Sequence, residues 1–334
     1  MGVSTKKCIL FFVKRVRSSH FSDKTPPHRK KKIRMNPEFP VSEFNARRLV
    51  LRTIADAFGI RRELTHNPCA APTSFLRAHL PLVQQGYVVT EKSDGVRYLL
   101  VFARLKQVYF ACLVDRALAM FQVEVHAPKT MFDGSVFDCE LVQSAKGPTL
   151  LVFDCLQLHA VSLRKQSFTK RYSKLGPNLE QLTCANLPVK IKSFVPLSDI
   201  ANIKVDQLGH ASDGFILQPA NGRVVWGRDK RCFKWKYHPS IDVVIDGERV
   251  SCQEGPMPDD SDWVVVDNGL CKGLCNGLWE CEATVATFDG RRRVVLKPLR
   301  LRTDKLEANS RETIQGVVKE IEDSVQLWEL SPAM

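Results

Sequence analysis

The stretch that most constrains this chain is residues 89–102, which read as strand, tight polar turn, strand. Val88 and Val89 run apolar into the turn, and Tyr98 to Phe102 run apolar out of it. Between them sit Lys92, Asp94, Gly95 and Arg97. A lysine that precedes Asp-Gly at a strand end projects its amine into a concave site, and Gly95 lets the backbone approach a ligand closely. Such an amine is a candidate nucleophile. Lysine attacks only when burial or neighbouring cations lower its pKa. The rest of the chain is therefore expected to supply positive charge beside Lys92; otherwise the motif is a hairpin turn with solvent-facing charges.

Composition narrows the setting. A chain of 334 residues holds one large or two medium domains, and 44% apolar with 25% charged content is that of a soluble globular protein. No run of eighteen apolar residues exists, so a membrane-spanning helix and a membrane partner are excluded. The net charge of +13 is concentrated: residues 1–35 carry eleven Lys/Arg against the single acid Asp23, a net +10. Basicity is thus a property of the tail, which is expected to be disordered. Its cluster Arg29 to Arg34 reads as a nuclear-import address or an RNA-binding arm, with a mitochondrial presequence and a merely solubilising tail as the rival readings. Eleven scattered cysteines, several inside apolar strands, indicate a reducing compartment. Cys271 and Cys275, with Cys252 and Cys281 nearby, lack the spacing and the histidine of a usual zinc site, so none is expected.

Helical spacing runs from Ser42, a plausible N-cap, to Phe58, with Gly59 as the stop. Asn67 to Ser74, with two prolines, is expected to break regular structure, and Leu76 to Gln84 to form a second helix. Short strands are expected at 98–103, 107–114, 119–123, 135–142, 149–156 and 214–218, interrupted by a mainly helical segment at 162–182. The mixture predicts an antiparallel α+β domain. Near Ser240 a second set of strands begins: Asp242 to Ile245, Trp263 to Val266, Leu278 to Thr287 and Arg293 to Leu301. Their turns and alternation suit an OB-fold barrel, and the helix Ser310 to Glu322 follows. The expected division is a tail at 1–35, a catalytic domain at 36–239, the barrel at 240–328 and a short tail at 329–334.

Several short motifs lie along this frame. Asp138-Cys139-Glu140-Leu141-Val142 places Glu140 48 residues beyond Lys92, and Phe153 lies in the apolar run Leu151 to Leu156. Ser212-Asp213-Gly214 puts a carboxylate at a turn, as a hard divalent cation requires. In Lys234-Trp235-Lys236, strand alternation puts both lysines on one face and Trp235 in the core. Two cations side by side repel, and are expected only where an anion sits between them. In order and spacing these pieces resemble motifs I, III, IIIa, IV and V of the covalent nucleotidyltransferases, which comprise DNA ligases, RNA ligases and mRNA capping guanylyltransferases. Leu299 to Asn309, with Arg302, Asp304 and Lys305, resembles motif VI. The resemblance covers about residues 66–326. It departs from the pattern at Cys139, where glycine is usual.

The resemblance implies that Lys92 attacks the α-phosphate of a nucleoside triphosphate, with Lys234, Lys236 and Asp213 completing the catalytic group. It implies nucleotide contacts from Glu91, Arg97, Arg116, Glu140, Phe153, Lys192, Lys234, Lys236, Arg302, Asp304 and Lys305. Phe153 would stack on the purine, Arg302 and Lys305 would grip the β- and γ-phosphates, and Asp213 and Glu140 would hold Mg²⁺ or Mn²⁺. Lys192 is assigned to the guanine, although Lys190 serves equally on pattern. The form Lys-Trp-Lys, only 66 residues from Lys236 to Arg302, and no DNA-binding domain before motif I point to the capping guanylyltransferases over a ligase using ATP. A non-catalytic, RNA-binding protein of the same fold is a further alternative. The guanylyltransferase reading implies GTP and a 5′-diphosphate RNA end as substrates and the nucleus as the place of action. No His-Cys-x₅-Arg signature occurs, and Glu280-Cys281-Glu282 lies in a barrel strand, so RNA triphosphatase and cap methyltransferase are expected as separate partners. The polymerase C-terminal domain is a further candidate partner.

Overall fold

The computed structural model describes residues 14–16, 43–184, 187–247, 249–257, 263–265, 276–288, 290–302, 305 and 307–330. Among these residues the chain is α+β, as expected, with a second strand-rich unit following the first. The largest sheet runs in the order Lys14–Val16, Met120–Val123, Val108–Val114, Val96–Leu105, Ser135–Ser144, Gly147–Leu158 and Val161–Ser162, each antiparallel to its neighbour. Val96–Leu105 is apolar on both faces because both are covered. Leu99, Val101 and Ala103 pack with Ala46, Val50, Ile54 and Phe58 of the helix Glu43–Phe58, whereas Leu100 and Phe102 pack with Phe132 and Phe137. A sheet buried on both sides reads as a continuous apolar run.

The second sheet holds Lys92, Asp213, Lys234 and Lys236. Its order is Val195–Pro196, Tyr87–Ser93, Ser212–Pro219, Arg228–Lys236 and Ala71–Ser74. Ser93 and Val96 therefore belong to different sheets, and Asp94-Gly95 is the corner where the chain crosses between them, not a hairpin turn. A Cβ on Gly95 would lie 2.6 Å from the Leu141 carbonyl oxygen, so glycine is required by that close approach. Gly214 is under the same constraint, with a Cβ falling 2.0 Å from the Trp235 carbonyl oxygen.

Three expectations are corrected. Residues 71–74 are a strand, parallel to Arg228–Lys236, and not irregular. Their prolines hide it, yet an edge strand tolerates a missing N–H, and Ala71–Ser74 is an edge. The segments 76–84 and 162–182 form only the short helices Arg77–His79, Leu80–Val83, Phe168–Tyr172 and Leu175–Leu179. Within the tail expected to be disordered, Lys14–Val16 pairs with Met120–Val123, because an open sheet edge offers backbone groups to any extended segment.

The strand-rich unit begins at Ser240–Asp246, which lies between Arg249–Cys252 and Gly277–Phe288. Gly277–Phe288 pairs with Arg291–Leu301, which in turn takes Trp263–Val265 in parallel. Cys252 and Cys281 are buried in its core, whereas Cys271 and Cys275 lie outside the described residues. The eight described cysteines are free thiols. The helix Arg311–Asp323 is capped by the Ser310 hydroxyl, which accepts from the Thr313 N–H. Its Ile314 and Val317 join the core of this unit, and just beyond it Val325 and Leu330 join the core of the second sheet. Trp235 donates its indole N–H to the Val325 carbonyl at 2.8 Å, so the end of the chain ties the two cores together.

Candidate active site

A cavity of about 1120 Å³ opens where the two large sheets, the strand-rich unit and the C-terminal helix meet. Lys92, Lys234, Lys236, Asp213, Arg97, Arg116, Glu140, Phe153, Lys192, Arg302 and Lys305 all line it. The last strand of the second sheet shows why. Phe233 and Trp235 are buried in the core, so alternation turns Lys234 and Lys236 to the opposite face and into the cavity.

The first neighbour of the Lys92 amine is a carboxylate, that of Asp213, with the expected cations beyond it. Lys92 Nζ donates to Asp213 Oδ1 at 2.7 Å and Oδ2 at 3.0 Å, and Lys236 Nζ lies 3.1 Å from the same Oδ2. Burial pushes the Asp213 carboxyl up, but the two lysines outweigh it and hold it below its usual value. The hydrogen-bonded chain continues into the strand-rich unit. Lys236 donates to Ser240 Oγ at 2.9 Å, and Ser240 donates to Glu280 at 3.3 Å. Glu280 accepts from Arg300 at 2.6 Å and from Arg302 at 3.2 Å. Arg302 and Lys305 both donate to Asp242, Arg302 at 2.7 Å. One alternation of charge thus runs from Lys92 to the motif VI cations. Asp304 lies outside the described residues.

Lys234 differs. Burial first, then Lys236 and Lys92, push its amine down to about 8, and Glu320 opposes them. Glu320 comes from the C-terminal helix and is only 7% exposed; burial raises its carboxyl. Sequence reasoning missed it. The signal was an acid three residues beyond Val317 on the apolar face of that helix. Asp242, Ser240 and Glu280 were likewise not singled out for this site, because nothing local marks a strand residue as facing a cavity.

The remaining candidate nucleotide contacts separate by position. Phe153 is half-buried against the cavity with the Arg97 guanidinium 5.6 Å from its ring centre. Arg97 is held by a forked pair to Asp138, at 2.8 and 2.6 Å, and donates to the Ala70 carbonyl at 2.6 Å. Glu140 faces the cavity, and burial raises its carboxyl against the pull of Lys192, Arg97 and Lys92. Cys139 points the other way into the core, so it does not alter the cavity wall. Lys192 is buried and lines the cavity, whereas Lys190 is exposed and does not. Burial pushes Lys192 down despite Glu91 and Glu140. Glu91 is absent from the cavity wall. Its carboxylate accepts from Thr90 and Ser93 at 2.8 Å and lies 3.3 Å from Lys192 and 3.2 Å from His210. It positions Lys192 from behind.

Among the described residues no three or more His, Cys, Asp or Glu gather as a metal cluster. Mg²⁺ and Mn²⁺ need less from protein when phosphates share the ion, since one or two carboxylates, phosphate oxygens and waters complete the shell. Asp213 and Glu140, both on the cavity wall, fit an ion of that kind.

Residues 44–238 match the family described as "mRNA capping enzyme, catalytic domain". The mRNA-capping enzyme of Caenorhabditis elegans is 27% identical over 294 residues, covering 75% of this chain and 46% of that protein. The mRNA-capping enzyme subunit alpha of Schizosaccharomyces pombe is 24% identical over 328 residues, covering 80% of this chain and 79% of its own. A solved structure of mycobacterial DNA ligase D complexed with ATP and MES is similar with a TM-score of 0.42 at 16% identity, covering 72% of this chain and 97% of that one. The chain spans about half the length of its Caenorhabditis and Kluyveromyces relatives, 46% in each case. With more than half of its residues matched, the chain belongs to the mRNA capping enzyme family.

Proposed function

We propose that this protein is an mRNA guanylyltransferase that carries GMP on Lys92. The observation that carries the reading is a lysine amine hydrogen-bonded to Asp213, with Lys236 on the same carboxylate and Lys234 in the same cavity. In the first step Lys92 Nζ forms a bond to the α-phosphorus of GTP as the bond to the bridging oxygen breaks and pyrophosphate leaves. The proton shed by the amine has Asp213 within hydrogen-bonding reach. Lys234 and Lys236 meet the charge on the α-phosphate, and Arg302 and Lys305 orient the pyrophosphate. A bound divalent cation supplies further neutralisation of the phosphates, with Asp213 and Glu140 to hold it. Phe153 stacks on the guanine, and Lys192 donates toward its edge from the buried position that Glu91 fixes. In the second step a terminal oxygen of 5′-diphosphate RNA attacks the same phosphorus, the nitrogen–phosphorus bond breaks, and the amine regains its proton.

The pairing of the strand-rich unit, with Ser240–Asp246 between Arg249–Cys252 and Gly277–Phe288 and with Trp263–Val265 parallel to Arg291–Leu301, supports the OB-fold reading. It also supports division near residue 240. A diphosphate acceptor must come from a reaction that removes the terminal phosphate of a triphosphate end, so a triphosphatase is the natural partner. A cap methyltransferase, the polymerase C-terminal domain and a nuclear setting belong to the same reading.

The test is covalent. Purified protein mixed with each of four α-labelled nucleotides and Mg²⁺ should retain acid-labile label from GTP through denaturing electrophoresis. Label from ATP instead would make the protein a ligase, and label from none would leave an RNA-binding protein of this fold.

The Lys234 amine, at about 8, gives a pH dependence. The charged form binds phosphate, so affinity for the unreactive analogue α,β-methylene GTP should fall as pH rises through about 8, with proton uptake on binding above it. Lys234→Arg keeps its charge at all these values and should flatten the profile. Calorimetry in buffers of different ionisation enthalpy measures both; an unchanged slope in Lys234→Arg would remove Lys234 from the phosphate site.

A further inference from the structure

Trp226 is 56% exposed, although its backbone is pinned by an antiparallel bridge to Cys69, itself on the cavity wall. One side of its indole carries the Arg62 guanidinium, 5.9 Å from the ring centre. The segment around it is basic: Arg223, ahead of it, and Arg228 and Lys230, in the strand that follows, line the cavity that contains Lys92, and Arg231 of that strand is exposed. The acids nearby are already engaged. Asp229 is 7% exposed, accepts from the Arg231 backbone N–H at 2.9 Å and lies 3.8 Å from its guanidinium, and Glu312 pairs with Arg228 at 3.0 Å. A large aromatic face held open on a fixed backbone, with cations leading from it into the nucleophile's cavity, is the makeup of a single-strand stacking platform.

We propose that Trp226, with Arg223, Lys230 and Arg231, binds single-stranded RNA just behind its 5′ end. A base stacks on the indole, and the flanking cations hold backbone phosphates. The inference rests on the guanylyltransferase reading for its acceptor, but not for its geometry. Because Arg223, Val225 and Arg228, which flank Trp226 in the chain, line the cavity that holds Lys92, an RNA seated on the indole directs its terminal phosphate toward Lys92.

Two measurements on the full chain separate this inference from the reading it rests on. The first is labelling by α-labelled GTP, which Trp226→Ala should leave within about twofold of wild type. The second is transfer of GMP to a 5′-diphosphate 20-mer and to a 5′-diphosphate dinucleotide, alongside anisotropy of the fluorescent 20-mer. Trp226→Ala should raise the half-saturating concentration of the 20-mer about tenfold, with the dinucleotide unaffected and Trp226→Phe close to wild type. Arg223→Ala and Lys230→Ala should each reduce the slope of log affinity against log salt by about 0.7. Unchanged 20-mer binding and transfer in Trp226→Ala would overturn the inference, as would an equal loss with the dinucleotide; an indole that docks another protein would give the first result. Absence of label in wild type would overturn the guanylyltransferase reading alone, because the anisotropy arm still decides whether Trp226 binds RNA.

Discussion

Lys92→Ala should retain no covalent label from GTP, a loss of at least about ten-thousand-fold, because no step can proceed without the atom that bonds to phosphorus. The variant should fold. The Lys92 and Asp213 side chains are 24% and 35% exposed, and Asp213 keeps Lys236 at 3.1 Å once Lys92 is gone. A partly exposed pair of this kind contributes about 0–1 kcal/mol, so the denaturation midpoint should move little. Lys92→Arg is the sharper control, since a guanidinium keeps the charge but is no nucleophile at neutral pH, and it too should carry no label. Label persisting in either variant would transfer the nucleophile to another amine in the cavity, and peptide mapping would find it.

A second large effect is on stability. Arg171 of the helix Phe168–Tyr172 is 2% exposed and forks onto Asp154 at 2.9 and 2.7 Å. Its remaining nitrogen donates to the carbonyls of Gln166 and Gly222 at 2.7 and 2.8 Å. Arg171→Ala leaves a buried carboxylate and two carbonyls without their donor, which costs about 3–5 kcal/mol. Urea unfolding should show that loss, and Phe153 on the neighbouring position should lose its fixed backbone. The pH dependence has a definite sign. Burial already raises the Asp154 carboxyl above its usual value despite Arg171. A group raised in the folded state favours folding below its unfolded value and loses that contribution as pH rises through its folded value. The deficit of Arg171→Ala should therefore shrink as pH falls through the carboxylate range. Arg171→Met with Asp154→Leu should recover most of the loss, because an apolar pair needs no compensation. An equal deficit in the double variant would assign the effect to packing alone.

Asp154 shows how far local pattern reaches. Its place in an apolar run was legible, as were the strand carrying Phe153 and the alternation that turns Lys234 and Lys236 to one face. Arg171 gave no local signal, since it lies seventeen residues away in a segment whose helices are short. The Asp94-Gly95 turn was legible as a turn, and Gly95 as a close approach. That its two flanking strands enter different sheets was not, because a turn residue records the local bend and not the partner of the strand that follows. Ala71–Ser74 was hidden by its prolines and is a strand only because Arg228–Lys236 offers it an edge.

What the sequence determined by itself was the set of candidate side chains and, for Lys234 and Lys236, the shared strand face, since strand alternation and turn chemistry depend on residues a few positions apart. Only the tertiary structure decided that Asp213, 121 residues from Lys92, stands between two lysines, and that Glu320 returns from the helix Arg311–Asp323 to Lys234. Ion pairs across sheets depend on register and on how separate layers pack. Those are properties of the whole chain's burial, and no short segment encodes them.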